Sequence, residues 1–326
     1  MRLLKGAPDG GFELVSVDGD DPPPYAILSH TWAEDQEVTY AELVAGTNKD
    51  KTGYAKIRFC VDRAAADGLQ YSWIDTCCIN KSTNDELSTA INSMFRWYQR
   101  ANRCYVYLSD VQIPDEVDTP AFQIKRKEAF RQSRWFTRGW TLQELLAPAS
   151  VEFFAKDGKR LGSRISLEQE IHEITKIPIR VLRGQNLAWI DVEEKMSWAA
   201  GRTTTIKEDK VYCLLGIFGV FLSLIYGEGE EYATLRLKEE IQKRQEGRKT
   251  ETLQDLTGVF LFSCCSFLMY MQLTLCSLLV VTLSKEPSLR RTRRTPPVPR
   301  EVPPLHHSST HHDMRFGGLR EISTCR

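Results

Sequence analysis

Three polar clusters in the sequence combine side chains that could bind or transform a small molecule. They occupy residues 29–32 (SHTW), residues 75–80 (DTCCIN) and residues 138–144 (RGWTLQE). Ser29 and His30 follow an apolar run and could contact a phosphate or a ribose. The alternative is a turn in which these polar groups satisfy the local backbone. The first cluster therefore predicts either a ligand contact or a simple turn.

The second and third clusters each contribute a carboxylate. Asp75 could bind a ribose hydroxyl, by analogy with doubly wound dinucleotide-binding sheets, or it could cap the following loop or pair with a basic group. Glu144 lies four residues after Trp140, so both side chains project from one face of a predicted helix. The aromatic ring could stack on a base, and the carboxylate could stabilise positive charge on a sugar. The alternative is that Glu144 pairs with an arginine, such as Arg138, and only fixes the helix.

Two further patterns have simpler structural explanations. Cys77 and Cys78 suggest a nucleophile with His30 as its base, but packing is the commoner fate of a buried cysteine. Thr83 with Glu86 three residues later predicts a capping box at the start of a helix. Since the nine cysteines lack metal-ligand spacing, we predict no metal site and a reducing compartment.

The elements that position these clusters alternate along the chain. Short apolar runs predict strands, and amphipathic stretches predict helices between them. The expected fold class is α/β, a parallel sheet of four or five strands with helices on both faces. A mostly helical unit follows over residues 186–245. The predicted strands cover residues 25–29, 70–75, 104–108 and 151–154, and the predicted helices cover residues 53–68, 83–101, 139–147 and 166–175.

Composition limits the possible functions and locations. The formal net charge is zero, which argues against a nucleic-acid partner. The amino-terminal segment lacks the apolar core of a secretory signal, so we expect a cytoplasmic protein. Residues 256–284 carry no charge, and 259–283 are apolar enough to span a membrane. That segment could be a membrane anchor, a buried helix or translated non-coding sequence. Residues 285–326, rich in Pro, Arg and His, are expected to be disordered.

Three sequence blocks resemble the heterokaryon incompatibility (HET) domain of filamentous fungi. They are residues 25–32 (YAILSHTW), residues 73–80 (WIDTCCIN) and residues 134–144 (RWFTRGWTLQE). Order and spacing also fit the family. Three places depart from its common pattern, with Ala33 instead of Gly, Lys81 instead of Gln, and Leu222-Ser223 instead of Met-Pro. The expected organisation begins with a lead segment (residues 1–24), a HET domain (25–155) and a helical extension (156–250). An apolar segment (256–284) and a tail (285–326) follow.

The resemblance implies an effector of incompatibility, self/non-self recognition and programmed cell death. HET domains are similar in fold to Toll/interleukin-receptor (TIR) domains, some of which hydrolyse NAD⁺, so a TIR-like (flavodoxin-like) fold is expected. It also implies a catalytic role for Glu144, with NAD⁺ as substrate and no required cofactor. The expected partners are further copies of the chain or other HET and NLR-type proteins. The alternative is a non-enzymatic scaffold that self-associates or recruits partners. The expected binding residues are Ser29, His30, Trp32, Asp75, Arg138 and Trp140.

Overall fold

A computed structural model describes residues 1–7, 10–113 and 120–247 of the chain. The apolar segment and tail expected over residues 256–326 lie outside these ranges. Within the described ranges, no helix combines the length and the apolar composition needed to cross a membrane.

The described strands form one mixed sheet of seven members in the order β2-β1-β4-β3-β5-β6-β7. Its four central strands are parallel to one another, with β3 between β4 and β5 and with β6 next to β5. These are the four strands predicted from the apolar runs. The strands are β1 (Arg2–Gly6), β2 (Phe12–Ser16), β3 (Tyr25–His30), β4 (Tyr71–Trp73), β5 (Arg103–Leu108), β6 (Val151–Ala155) and β7 (Arg160–Ser163).

The edges of the sheet differ from the expected all-parallel arrangement. β1 pairs antiparallel with both β2 and β4, and β7 pairs antiparallel with β6. The prediction of four or five parallel strands therefore holds only for the centre. Residues 1–24 also supply two strands rather than a simple lead segment. Half-exposed edge strands mix apolar and charged residues, so they lack the continuous apolar signal of a covered strand.

Helices cover both faces of the sheet, as predicted. They are α1 (Tyr40–Ala45), α2 (Thr52–Ala66), α3 (Asp75–Cys78), α4 (Asn84–Arg100), α5 (Pro120–Gln132), α6 (Thr141–Leu146), α7 (Glu168–Thr175), α8 (Ile179–Leu182), α9 (Val192–Ser197), α10 (Asp209–Tyr212), α11 (Leu215–Phe218) and α12 (229–247). On β5, Tyr105 contacts Phe59 of α2, whereas the thiol of Cys104 donates to the backbone carbonyl of Glu144 in α6. Because neighbouring strand residues point to opposite faces, α2 and α6 lie on opposite sides of the sheet.

The capping box predicted for Thr83 and Glu86 is wrong. Thr83 makes no side-chain cap at the start of α4. Glu86 instead accepts a hydrogen bond from the backbone N–H of Asn80 at 2.7 Å and pairs with the guanidinium of Arg2. This carboxylate therefore ties the first strand to the loop before α4. A complete capping box occurs at α1, where Thr39 and Glu42 bond to each other's backbone N–H groups.

Candidate functional site

A cavity of about 430 Å³ opens at the carboxyl ends of β3 and β4. β4 and β5 lie on opposite sides of β3, and ligands of open α/β sheets bind where the strand order diverges in this way. The cavity gathers carboxylates, cations, aromatic rings and an apolar wall. Its lining residues are His30, Thr31, Trp32, Asp75, Ile79, Lys81, Leu87, Ile91, Met94, Arg138, Trp140, Thr141, Glu144, Thr205, Ile206, Asp209 and Tyr226.

Every residue predicted for the site lies at this cavity except Ser29, which lies behind it. Ser29 is fully buried near the carboxyl end of β3 and donates a hydrogen bond to Oε2 of Glu144 at 2.5 Å. Its hydroxyl oxygen accepts a hydrogen bond from the indole Nε1 of Trp135 at 2.8 Å. The hydroxyl thus holds the Glu144 carboxyl in place by a hydrogen bond, and Ser29 itself does not line the cavity.

Glu144 is the most buried carboxyl of the cavity wall, 7% exposed. Burial, with a smaller contribution from the charge of Asp75, raises its pKa to about 8. The hydrogen bond from Ser29, the nearby phenol of Tyr98 and the charge of Arg202 act in the opposite direction but do not outweigh burial. A carboxyl with such a pKa is largely protonated at neutral pH, and it ionises readily when a cation binds beside it.

The alternative prediction, that Glu144 pairs with Arg138, is wrong. The guanidinium of Arg138 donates to the hydroxyl of Thr205 at 3.2 Å, whereas the carboxyl of Glu144 accepts a hydrogen bond from Ser29. The side chain of Arg138 therefore faces the extension that follows the sheet. Its charge lowers the pKa of Asp209, but burial dominates there, and the pKa of Asp209 is raised.

Asp75 lines the same cavity in the opposite ionisation state. Burial acts to raise its pKa, but Lys81, His30 and Trp32 together hold the pKa below its ordinary value. Nζ of Lys81 lies 3.8 Å from Oδ2 of Asp75 and 3.6 Å from the centroid of the Trp32 ring. The ammonium group therefore rests between a carboxylate and an aromatic face, where both interactions favour its charge.

A buried chain of polar groups fixes His30. Nε2 of His30 lies 3.1 Å from Oδ1 of Asp75, and Nδ1 lies 3.4 Å from Nζ of Lys56. An ammonium group can only donate hydrogen bonds, so Nδ1 accepts and Nε2–H donates to Asp75. Lys56 also donates to the carbonyl of Thr31 at 3.0 Å and to the carboxylate of Glu37. His30 therefore orients Asp75, because both of its ring nitrogens are already engaged.

The cysteine nucleophile considered from the sequence does not fit this geometry. Cys77 is fully buried, and burial raises the pKa of its thiol well above the ordinary value. The thiol donates to the backbone carbonyl of Ile74 at 3.9 Å. His30, its proposed base, bonds to Asp75 and Lys56. Cys77 therefore belongs to the core, as the commoner outcome predicted.

The extension after the sheet completes the cavity with residues that sequence reasoning missed. Asp209 accepts hydrogen bonds from the indole Nε1 of Trp140 and from the hydroxyl of Tyr226, both at 3.1 Å. Ile206 and Thr205 close the same side. The sequence predicted a helical extension over residues 156–250. It did not indicate that parts of this extension turn back onto Trp140.

Arg202 anchors the extension to the segment that leads into α6. Its Nη1 donates to the hydroxyl of Thr141 and to the carbonyl of Arg138, both at 2.8 Å. Burial lowers its pKa to about 10. Gly139 allows this close approach, because a Cβ at that position would lie 2.6 Å from the Thr204 side chain. The position of Glu144 therefore depends on residues about 60 positions further along the chain.

Comparison with known proteins identifies relatives of this architecture. Residues 25–126 match the family described as Heterokaryon incompatibility protein (HET). The chain is 54% identical over 247 residues to the vegetative incompatibility protein HET-E-1 of Podospora anserina. This alignment covers 74% of the chain and 18% of that relative, so the chain spans about a fifth of the relative's length. No solved structure matches the chain significantly.

Proposed function

Because this chain belongs to the fungal HET-domain proteins, we propose that it is a cytoplasmic effector of heterokaryon incompatibility that cleaves NAD⁺ when it is activated. The observation that supports the chemistry most directly is Glu144, a buried carboxyl with a pKa of about 8 at the wall of a 430 Å³ cavity. The incompatibility role rests on the relationship to the HET family.

The composition of the cavity suits the nicotinamide half of NAD⁺. The indole of Trp140 and the phenol of Tyr226 lie at one side, with aliphatic side chains opposite. Flat aromatic ligands stack on such rings. The nicotinamide ring of NAD⁺ is positively charged, so its entry favours the ionised form of Glu144. The cavity thus offers an aromatic surface and a carboxyl whose charge responds to a cationic ligand.

The proposed reaction breaks the bond between the ribose C1′ and the nicotinamide nitrogen. The bonding electrons leave with nicotinamide, which departs neutral, so no general acid is needed. The ionised Glu144 stabilises the positive charge that develops on the ribose. Water then adds to C1′ and releases one proton, giving ADP-ribose, nicotinamide and H⁺. Asp75, held ionised by Lys81 and His30, is the group available to accept that proton.

The strand order is consistent with the TIR-like fold expected from the family resemblance. In chain order, the four parallel strands lie as 2-1-3-4, which is the beginning of the flavodoxin-like order. The cavity occupies the position at which doubly wound sheets bind nucleotides. Both points support the proposal of a nucleotide substrate.

The test is nicotinamide release by the purified full chain, with Glu144→Gln compared with the wild type. The amide keeps the shape and the acceptor for Ser29 but cannot ionise, so we expect a loss of about 100-fold or more. Glu170→Gln is the matched control, because Glu170 is also buried but lies away from the cavity and pairs with Lys127. Equal release by wild type and Glu144→Gln would contradict the catalytic role of Glu144.

A second candidate function is a non-enzymatic scaffold that self-associates or recruits HET or NLR-type partners. It is favoured by large apolar side chains that the extension leaves in solvent. Examples are Trp189, Phe221, Tyr232 and Leu235, each more than half exposed. Cell killing without loss of NAD⁺, abolished by Tyr232→Ser, would support the scaffold. Killing that fails in Glu144→Gln and persists in Tyr232→Ser would support the enzyme.

A further inference from the structure

A second cleft of about 290 Å³ adjoins the site cavity. The two spaces share Trp32, Ile79 and Lys81 in their walls. The second cleft lies toward α1 and the loop before α4, and it takes no part in the chemistry proposed above. Its lining residues are Trp32, Glu37, Thr39, Tyr40, Ala41, Thr76, Ile79, Asn80, Lys81 and Ser82.

Lys81 is the cation that belongs to both spaces. Its pairing oxygen on Asp75 is 3.8 Å away, beyond hydrogen-bond distance, and its side chain is one-third exposed. Its three donor positions are therefore poorly used by the protein. Glu37, the carboxylate of the second cleft, is paired with Lys56. An anion that binds where the two spaces meet could thus contact the ammonium group of Lys81. The carboxylate of Glu37 would repel it little, because that charge is already paired with Lys56.

The second cleft also has an aromatic wall and a buried hydroxyl. The guanidinium of Arg2 covers one face of the Tyr40 ring at 4.3 Å, and the Tyr40 side chain lines the cleft. Thr76 is 5% exposed and lines the cleft. Its hydroxyl is a polar group of the cleft wall that can donate or accept a hydrogen bond.

We propose that the second cleft binds the nucleoside diphosphate half of a dinucleotide, with Lys81 contacting the pyrophosphate where the two spaces meet. This inference rests on the proposed NAD⁺ cleavage and specifies where the rest of the substrate binds. The base stacks against Tyr40, and Thr76 offers a hydrogen bond to the ribose. The nicotinamide riboside half then occupies the cavity beside Glu144. Lys81 becomes a residue that selects dinucleotides over nucleosides.

Binding of ADP-ribose to the purified full chain tests the proposal, because this probe carries the pyrophosphate and lacks nicotinamide. Lys81→Gln removes a charge-assisted contact, so we expect about tenfold weaker binding by calorimetry. Nicotinamide riboside, which lacks phosphate, should lose less affinity in Lys81→Gln than ADP-ribose does, because only ADP-ribose carries the pyrophosphate that Lys81 is proposed to contact. Tyr40→Ala should weaken ADP-ribose binding and leave ribose 5-phosphate binding unchanged. Lys243→Gln, an exposed lysine on α12, is the matched control and should bind like the wild type.

Failure of the second cleft can be distinguished from failure of the cleavage reaction. If ADP-ribose binding depends on Lys81 but nicotinamide is not released, the proposed binding in the second cleft is supported and the proposed NAD⁺ cleavage is wrong. If nicotinamide is released and the KM for NAD⁺ is the same in Lys81→Gln, Tyr40→Ala and wild type, the proposed binding in the second cleft is wrong. The proposed NAD⁺ cleavage is then supported. ADP-ribose binding that is undetectable in the wild type, or unchanged in Lys81→Gln, overturns the proposal.

Discussion

Two carboxyl groups share one cavity wall, but their surroundings drive their ionisation in opposite directions. Glu144 has the hydroxyl of Ser29 as its hydrogen-bond partner, and burial raises its pKa to about 8. Asp75 is buried as well, yet Lys81 and His30 hold its pKa below the ordinary value. Burial opposes ionisation at both positions, so the charge of Lys81 and the hydrogen bond from His30 decide the difference.

This contrast teaches which carboxyl can respond to a ligand. Asp75 stays ionised across the physiological range, since its cations belong to the protein. The charge of Arg202 contributes least among the causes that act on the pKa of Glu144, so a cation bound beside this carboxyl would change its protonation most. Two carboxyls with separated pKa values are the usual basis for dividing the roles of acid and base. The predictions below remove or shift one member of the pair at a time.

Removing Glu144 should have the largest effect on stability. Its pKa is about 8 in the folded chain and 4.5 ordinarily, so the folded state binds more protons between these values. The free energy of unfolding should therefore fall as pH rises through this window, by on the order of 5 kcal/mol. Glu144→Gln should remove that fall in urea unfolding followed over the same pH range.

Glu170→Gln is the control for this measurement. Burial acts to raise the pKa of Glu170, but its pairing with Lys127 lowers it overall. That carboxyl contributes stability above its ordinary pKa and loses it as pH falls. Its replacement should therefore leave the fall in stability between pH 4.5 and about 8 in place. A wild-type stability that is flat over this window would contradict the raised pKa of Glu144.

Removing the charge of Asp75 should have the second largest effect. Asp75→Asn leaves Lys81 without its carboxylate and weakens the acceptor for His30, so we expect a loss of about 2 kcal/mol near neutral pH. The difference from wild type should shrink at acid pH, because the folded-state pKa of Asp75 is lowered and its contribution disappears as pH falls through that value. Asp62→Asn, at an exposed position of α2, should change stability little. An unchanged stability in Asp75→Asn would remove the contrast between the two carboxyls.

The centre of the fold could be predicted because its signal is local. All six residues of β3 are buried, so the strand is recognisable as a continuous apolar run. The edges gave weaker signals. β1 pairs with β4, nearly 70 residues away, and no local pattern encodes that pairing. β7 did have a local signal, since Asp157-Gly158 is a hairpin turn sequence and Gly158 has a φ of +79°.

Part of the candidate site could likewise be predicted from local sequence signals, and part could not. Ser29, Asp75 and Glu144 could be brought together from sequence, because the carboxyl ends of parallel strands share one edge of the sheet. The role of Ser29 as support for Glu144 could not be predicted, since it depends on which face of β3 each residue occupies. Asp209 and Tyr226 were missed for a different reason. Their contact with Trp140 forms across about 70 residues of chain and follows from packing of the extension.

The smallest effect should come from shifting the pKa of Glu144 without removing the carboxyl. Ser29→Ala deletes the hydroxyl that donates to Glu144 and accepts from Trp135, which should cost about 1 kcal/mol in the free energy of unfolding. The Ser29 hydrogen bond lowers the pKa of Glu144, so its loss should raise that pKa further from the value of Asp75. If ionised Glu144 carries the reaction, the rise of nicotinamide release with pH should move to higher pH in Ser29→Ala.

Ser93→Ala, which removes a buried hydroxyl with only a 3.4 Å contact from Arg96, should leave the pH profile in place. A profile that stays at the wild-type position in both variants would mean that Ser29 supports the fold alone and does not tune Glu144.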